Sequence, residues 1–155
     1  MSIEIRLLRA GEEAVLGRTA AEVFDDPVLP LPAAEFLADP RHHLAVALDE
    51  GMVVGFASGV HYVHPDKPAP EFWINEVGVD PAFHRRGLGR ALMRALLGRA
   101  RELGCAEAWV LTERDNRAAM GLYQALGGEE APEDVVMFSF DLTDEGKGLA
   151  QDGAE

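Results

Sequence analysis

The feature that most constrains this chain is a basic turn that leads directly into an amphipathic helix. The sequence from Arg85 to Arg101 contains six arginines and no acidic residue, although the 155-residue chain has a formal net charge of -13. Leucines recur at helical spacing after the glycines of the turn, which predicts a helix from Gly87 to Leu103. A helix start presents unpaired N–H groups and the positive end of the helix dipole, and arginines add forked donors. The pattern therefore predicts a binding site for a pyrophosphate group.

The composition limits the partners that the chain can have. Hydrophobic residues make up 48% of the sequence and the mean hydropathy is -0.04, as in soluble globular proteins, and we expect neither a signal peptide nor a membrane span. Cys105 is the only cysteine and the five histidines lack the spacing of metal ligands, so we expect no metal. The sequence pI of about 4.7 argues against a nucleic-acid partner. We expect a cytoplasmic protein whose basic stripe binds an anionic cofactor and whose acidic body suits a cationic co-substrate.

Apolar periodicity and Gly/Pro breaks divide the chain into elements in the order β-α-α-β-β-β-α-β-α-β. The predicted strands are Ile3–Leu8, His43–Leu48, Met52–Val63, Phe72–Val79, Glu107–Thr112 and Val135–Leu142. The predicted helices are Glu12–Phe24, Ala33–Ala38, Gly87–Leu103 and a helix that is capped by Asn116 and runs to Leu126. This order indicates an α/β fold, with a mixed sheet and helices on both faces. We expect one domain over residues 1–142 and a disordered acidic tail over 143–155.

One stretch of the chain resembles the GNAT superfamily of acyl-CoA-dependent N-acetyltransferases. The resemblance is carried by Val77-Gly78-Val79-Asp80-Pro81, by Gly87-Leu88-Gly89, and by a downstream pattern of Asn116, Ala119, Leu122-Tyr123 and Leu126-Gly127. It covers about residues 3–142, and the stretches 71–79 and 83–86 look most like the bacterial aminoglycoside 3-N-acetyltransferase branch. The resemblance implies a GNAT-like fold with a mixed, mostly antiparallel sheet of six or seven strands. It also implies acetyl-CoA as the co-substrate.

The resemblance and the basic turn together indicate the residues that bind acetyl-CoA. In this family two strands splay apart, which assigns the backbone around Val77 and Val79 to the thioester end of the cofactor, with the Val79 N–H near the thioester oxygen. The family motif Arg/Gln-x-x-Gly-x-Gly/Ala begins here with His84, which departs from the usual residue. The remaining expected cofactor residues are Arg85, Arg86, Gly87, Gly89, Arg90 and Asn116. For the arginines the alternative is a solvated helix start.

Two residues are expected to move protons. The resemblance assigns Tyr123 as the general acid, because a phenol with a pKa near 10 is protonated at neutral pH; the alternative is a tyrosine that packs in the core. Glu76 is the expected base, directly or through water, or the residue that holds the ammonium; the alternative is a structural role. Glu71 has the opposite parity to Glu76 in an unbulged strand, so one of the two should point away from the site.

The acceptor residues are expected between the first strand and the hairpin, and on the strand that carries Glu76. Asp25, Trp73 and Asn75, with Tyr62, are expected to line a cleft for an aminoglycoside-like or polyamine-like amine. The alternative is a set of helix-end charges and core aromatic residues, and for Asp26 and Glu35 in the same segment this alternative is favoured. We therefore expect an N-acetyltransferase that moves an acetyl group from acetyl-CoA directly to a primary amine in a ternary complex. The alternatives are a protein or peptide N-acetyltransferase and a non-catalytic acyl-CoA-binding module. The acceptor and the oligomeric state stay open, although dimers are frequent in the family.

Overall fold

The computed structural model describes residues 2–143, which form one five-stranded sheet with helices on its two faces. The strands are β1 (Glu4–Leu7), β2 (His42–Asp49), β3 (Met52–Tyr62), β4 (Glu71–Val79) and β5 (Glu107–Val110). The helices are α1 (Pro30–Ala38), α2 (Leu88–Glu102) and α3 (Arg117–Ala125), with 3-10 segments at Glu13–Gly17 and Pro81–Phe83.

The sheet has the strand order β1-β2-β3-β4-β5. The first four strands are antiparallel neighbours, whereas β4 and β5 run parallel. A parallel pair needs a crossover, and α2 supplies it between β4 and β5. The predicted mixed, mostly antiparallel sheet is therefore confirmed.

Helix α2 covers one face of the sheet, which we call the α2 face. Its apolar stripe buries Leu92 and Leu96 completely, against alanines of β2 and Phe72 of β4. On the opposite face, α1 and the segment before it pack over Val46, Val53 and neighbouring apolar residues in a second cluster. Helices on both faces are therefore confirmed.

The predicted helix over Glu12–Phe24 is wrong beyond Gly17. Only Glu13–Gly17 is helical, as a single 3-10 segment. After it the chain pairs with the start of β3: the Val53 N–H donates to the Arg18 carbonyl (2.8 Å), and the Ala20 N–H donates to the Val53 carbonyl (2.9 Å). These tertiary hydrogen bonds outweigh the local helical periodicity.

The predicted last strand, Val135–Leu142, is also wrong, which leaves five strands in the described residues where six or seven were expected. Val136, Phe138 and Phe140 remain 69%, 79% and 68% exposed. Strand-forming residues make a strand only when a neighbouring strand supplies hydrogen bonds, and this segment lies outside the five-stranded ladder. The predicted tail, apart from Thr143, lies outside the described residues. No helix in residues 2–143 is long and apolar enough to cross a bilayer.

Candidate active site

A gap opens between β4 and β5, the last two strands in the sheet order, about halfway along β4. The two strands pair from Glu71 opposite Glu107 to Ile74 opposite Val110, where β5 ends, while β4 continues to Val79. At the same point β4 carries an extra residue, Asn75, because Ile74 pairs with Gly59 and Glu76 with Ser58. A bulge bends a strand and increases its twist. The second half of β4 therefore has an open edge that runs alongside the gap.

Backbone groups of β4 face this gap. The Asp80 N–H donates to the Val54 carbonyl (2.9 Å), so it points toward β3. Because successive residues of a strand present their N–H and C=O to opposite edges, those of Val79 and Val77 point away from β3, into the gap. The family resemblance assigned the thioester end of acetyl-CoA to this edge of β4.

His84 ties the basic turn to the same strand. Its Nε2 lies 2.9 Å from the Val79 carbonyl oxygen, which can only accept, so Nε2 carries the proton. The residue that departs from the family motif therefore bonds the end of β4 from within the loop. Its expected contact with cofactor phosphates stays a prediction.

The turn after His84 has the backbone of an anion-binding loop. Arg85 has a φ of 63°, and Gly87, at the N-cap of α2, has a φ of 75°. A left-handed arginine is strained by about 1–3 kcal/mol, and such strain tends to persist at functional sites. Gly87 has no side chain with which to cap α2, so the first N–H groups of the helix face outward without a capping group.

Three arginine side chains surround this helix start. Arg85, Arg86 and Arg90 are exposed, and the first turn of α2 contains no acidic residue that would neutralise them. The Arg86 guanidinium carbon lies 4.9 Å from the centre of the Phe83 ring, which orients that side chain. Free N–H groups, a helix dipole and forked cations are the donors that a pyrophosphate requires, so these residues fit the expected acetyl-CoA.

Gly89, also expected at the cofactor, has a packing role. A Cβ at this position would lie 3.3 Å from Leu122 Cδ2, so the missing side chain lets α3 approach the start of α2. Helix α3 begins at Asn116, whose Oδ1 accepts a hydrogen bond from the Ala119 N–H (3.1 Å), which confirms the predicted cap. The cofactor role of Asn116 stays a prediction.

Tyr123 lies on α3, half-buried against the cluster on the α2 face. Burial raises the pKa of its phenol above the usual value near 10. The side chain is therefore protonated across the neutral range, as a general acid must be before it donates.

Glu76 lies on the opposite face. It is exposed, pairs with Ser58 across the ladder, and precedes Val77, which packs toward α2. The expectation that Glu71 and Glu76 point to opposite faces is wrong, because the extra residue Asn75 shifts the alternation by one. Glu71, Trp73 and Glu76 therefore share the face away from α2.

The structure separates the expected acceptor residues into two groups. Asp25 and Asp26, with Glu13, lie among the residues that line a cleft of about 560 Å³ between the Glu13–Gly17 segment and α1. Among the described residues, none forms a hydrogen bond with one buried carboxylate oxygen of Glu13. The Phe24 side chain, which also lines the cleft, stacks on Phe56 with ring centres 3.9 Å apart. Glu35, Tyr62, Trp73 and Asn75 are not among the residues that line this cleft.

Trp73 belongs instead to an aromatic cluster on β3, β4 and β5. Its ring stacks on Trp109 with centres 5.2 Å apart and planes 9° apart. The Trp109 Nε1–H donates to the Tyr62 hydroxyl (2.6 Å), and that hydroxyl donates to Glu71 Oε2 (2.9 Å). Sequence reasoning missed Trp109, although both strands carry the order Glu-x-Trp, at 71–73 and 107–109, which a parallel pair brings side by side.

A histidine pair lies on the α2 face, away from the gap. His43 is 7% exposed, packs beside Phe72, and its Nε2 is 2.8 Å from His61 Nδ1. Burial, with a smaller contribution from His61, lowers the pKa of His43 to about 4. Among residues 2–143, no group of three or more His, Cys, Asp or Glu side chains is arranged to hold a metal ion.

This pair predicts a loss of stability in acid. In the unfolded chain His43 titrates near 6.5, so its burial in the neutral form costs nothing above that pH and costs more as the pH falls toward 4. We expect the free energy of unfolding to fall by about 3 kcal/mol between pH 6.5 and pH 4 through this residue. Urea unfolding across this range measures it, with His43→Gln as the comparison. Equal slopes for the wild type and the variant would contradict the assignment.

Known proteins share this fold. N-alpha-acetyltransferase RimI of Mycobacterium tuberculosis (strain ATCC 25618 / H37Rv) is 37% identical over 105 residues, which cover 68% of this chain and 63% of that protein. An aminoglycoside acetyltransferase from an uncultured soil metagenomic sample superposes with a TM-score of 0.76 at 22% identity, over 92% of this chain and 100% of that chain. The aminoglycoside N-acetyltransferase AAC(6')-Iy in complex with CoA superposes with a TM-score of 0.71 at 22% identity, over 92% and 96% of the two chains.

The curated relatives are longer than the matched region, and the chain spans less than two thirds of their length. The family itself is decided by a longer match, which runs from before the 3-10 segment at Glu13 to the end of α3 and includes the gap, the basic turn and Tyr123. Residues 12–127 match the family model for the Acetyltransferase (GNAT) family. This confirms the family that the Val77–Gly89 motif predicted: the chain belongs to the Acetyltransferase (GNAT) family.

Proposed function

We propose that this chain, as a single catalytic domain over residues 1–142, is an N-acetyltransferase that uses acetyl-CoA and a cationic small-molecule amine. The observation that carries the proposal is the gap between β4 and β5, which lies directly beside the basic turn at the start of α2. A pyrophosphate at the turn and a thioester in the gap would place one extended cofactor along two adjacent elements. Residues Arg85, Arg86, Gly87 and Arg90 would hold its diphosphate.

The chain's own groups account for the chemistry. Bound acetyl-CoA supplies the acetyl group as a thioester, whose carbonyl carbon an amine attacks. The Val79 N–H, directed into the gap, would donate to the carbonyl oxygen and withdraw electron density from that carbon. Tyr123 would donate its proton to the departing sulfur, because its raised pKa keeps the phenol protonated until that step.

Glu76 would act on the amine from the other face. An aliphatic ammonium has a pKa far above that of a carboxylate. Glu76 would therefore hold the ammonium group in place while the ammonium proton passes to water. Tyr123 packs on the α2 face, whereas Glu76 lies on the opposite face of β4, the strand that borders the gap. This arrangement supports direct transfer with both substrates bound, because the acid and the base would approach the reacting atoms from opposite sides.

The acceptor is proposed to be cationic because the face away from α2 is acidic. Asp25, Asp26 and Glu13 lie at the cleft, and Glu71 and Glu76 lie on β4. Aminoglycosides and polyamines carry several ammonium groups that carboxylates bind well. The aminoglycoside acetyltransferases among the solved neighbours agree with this class, although they share only the fold.

A protein N-terminus is the second candidate acceptor, and the RimI relative favours it. A panel assay separates the two, with free thiol release measured for spermine, kanamycin and a peptide that begins with alanine. We expect turnover with the small cations. Turnover with the peptide alone would overturn the small-molecule proposal, and CoA binding without turnover on any amine would favour a non-catalytic module.

Coenzyme A itself tests the basic turn. Arg86→Ala and Arg90→Ala should each weaken CoA binding by about tenfold, since each removes charge-assisted hydrogen bonds to phosphate. Arg101→Ala is the matched control, because Arg101 is exposed at the far end of the same helix. Titration calorimetry measures the affinity. Equal affinity in all four proteins would place the diphosphate elsewhere.

A further inference from the structure

The stacked tryptophans form a surface that the proposed chemistry does not use. We define the tryptophan platform as Tyr62, Glu71, Trp73, Glu107 and Trp109. Trp73 alternates along β4 with the buried Phe72 and Ile74, and Trp109 alternates along β5 with Ala108 and Val110, which pack toward α2. Both tryptophans therefore lie on the face away from α2, where they are partly buried and keep some exposed surface.

The platform is held rigidly but is not part of either core. Neither tryptophan belongs to the two apolar clusters, and α1 packs over β2 instead. The Trp109–Tyr62–Glu71 hydrogen bonds satisfy the polar tips of Trp109 and Tyr62, and Trp73 is held by its stacking on Trp109. A partly exposed indole outside both clusters can offer a ring face to a cation.

Two carboxylates, those of Glu71 and Glu107, make the platform a favourable place for a cation. Glu71 lies directly opposite Glu107 in the parallel pair, and like charges in this position destabilise a sheet. His64 Nε2 lies 3.2 Å from Glu71 Oε2 and Lys67 lies near enough to influence Glu71, so that carboxylate has partial compensation. In the described part of the chain, no Lys, Arg or His side chain forms an ion pair with Glu107.

The platform lies close to the proposed reaction centre on the same face. Trp73 and Glu76 are three residues apart on β4, with the bulge between them. Because Asn75 is an extra residue, Trp73 and Glu76 pair with residues only two apart on β3, so at a rise of about 3.3 Å per residue the two side chains leave the sheet roughly 7 Å apart. A single small molecule with two ammonium groups at this separation could reach both.

We propose that the tryptophan platform binds a second ammonium group of the acceptor, so that the preferred acceptor is a small polyamine or aminosugar with cationic groups about 7 Å apart. This inference rests on the proposed function, since it takes Glu76 as the place of the reacting amine. The occupant is a small polycation because the surface offers two ring faces and two carboxylates close to the gap. A long peptide would need a more extended surface.

The chain provides its own probe of this site. Trp73 and Trp109 are its only tryptophans, so fluorescence excited selectively at tryptophan, where tyrosine does not absorb, reports the platform. Spermine, added without acetyl-CoA, should quench or shift this fluorescence in a saturable way, whereas butylamine at equal ionic strength should not. Glu71→Gln keeps the side-chain shape and should weaken the spermine response at least about fivefold. Glu102→Gln, which removes an equal charge from α2 on the other face, is the matched control and should leave it unchanged.

Kinetics give the second measurement. Wild-type kcat/KM should be higher for spermine than for butylamine, and Trp109→Leu should remove most of this difference while circular dichroism shows a folded protein. Equal kcat/KM for the two amines, or equal loss of fluorescence response in Glu71→Gln and Glu102→Gln, would overturn the inference. A lysine-rich peptide that displaces spermine at lower concentration would overturn the small-molecule occupant. Absence of transfer to every amine, with the spermine response intact, would overturn the proposed enzyme alone.

Discussion

Replacing Tyr123 with phenylalanine should lower kcat by about 10²- to 10⁴-fold, the contribution typical of a positioned general acid. The change removes one hydroxyl from a half-buried ring that packs against the α2-face cluster, so the fold and the CoA affinity should persist. Stopped-flow or steady-state thiol release measures the rate, and calorimetry measures CoA binding on the same preparation.

The neighbouring residue on α3 supplies the control for this prediction. Gln124→Ala changes an exposed side chain on the same helix and should leave kcat as in the wild type. If Tyr123→Phe retains full kcat, another group protonates the leaving sulfur. If it loses CoA binding as well, Tyr123 contributes to the site mainly through packing.

Replacing Gly78 with alanine should destabilise the fold by about 3 kcal/mol or more, as overpacking of a closed core does. A Cβ at this position would collide with the Val23 carbonyl oxygen and would lie 2.8 Å from Cε1 of Phe56. The Val23 oxygen belongs to the backbone, so it cannot rotate away as a side chain could. The segment around Val23 continues into Phe24 and Asp25 at the cleft, and its displacement should also raise the KM of the acceptor.

A second glycine provides the comparison. Gly98 lies inside α2, and a Cβ added there would meet no atom of a neighbouring element within 4 Å, so Gly98→Ala should be neutral or stabilising by up to about 1 kcal/mol. Chemical denaturation of both variants measures the difference. Equal midpoints would show that the Val23 segment yields without cost.

Local signals predicted most of the fold. The apolar stripe of α2, the Asn116 cap and the β2–β3 hairpin depend on residues close in sequence, so their positions followed from spacing and turn chemistry. The helix expected over Glu12–Phe24 failed because the Val53 backbone, far away in sequence, offers better hydrogen bonds. The strand expected at Val135–Leu142 failed because strand formation requires a neighbour.

The residues of the candidate site also divide into those that local sequence predicts and those that depend on tertiary contacts. The basic turn and Tyr123 lie on contiguous motifs, so they could be named from the sequence. The aromatic cluster could not, because Trp109 meets Trp73 only through a parallel pairing whose register is tertiary. Glu71 and Glu76 share a face because Asn75 is an extra residue in β4. No residue type in β4 predicts a bulge at this position.

Because of Asn75, the residues that face away from α2 are odd-numbered in the first half of β4 and even-numbered in the second half. Before Asn75, the odd-numbered residues 71 and 73 face away from α2; after it, the even-numbered residues 76 and 78 do. Removal of Asn75 would therefore restore an unbroken alternation, with Ile74 and Glu76 as neighbours and every other side chain on the face that it occupies now. The deletion would take away the local bend and the added twist of the bulge, at the place where β4 parts from β5. The extra residue thus shapes the backbone beside the gap and leaves the distribution of side chains between the two faces as it is.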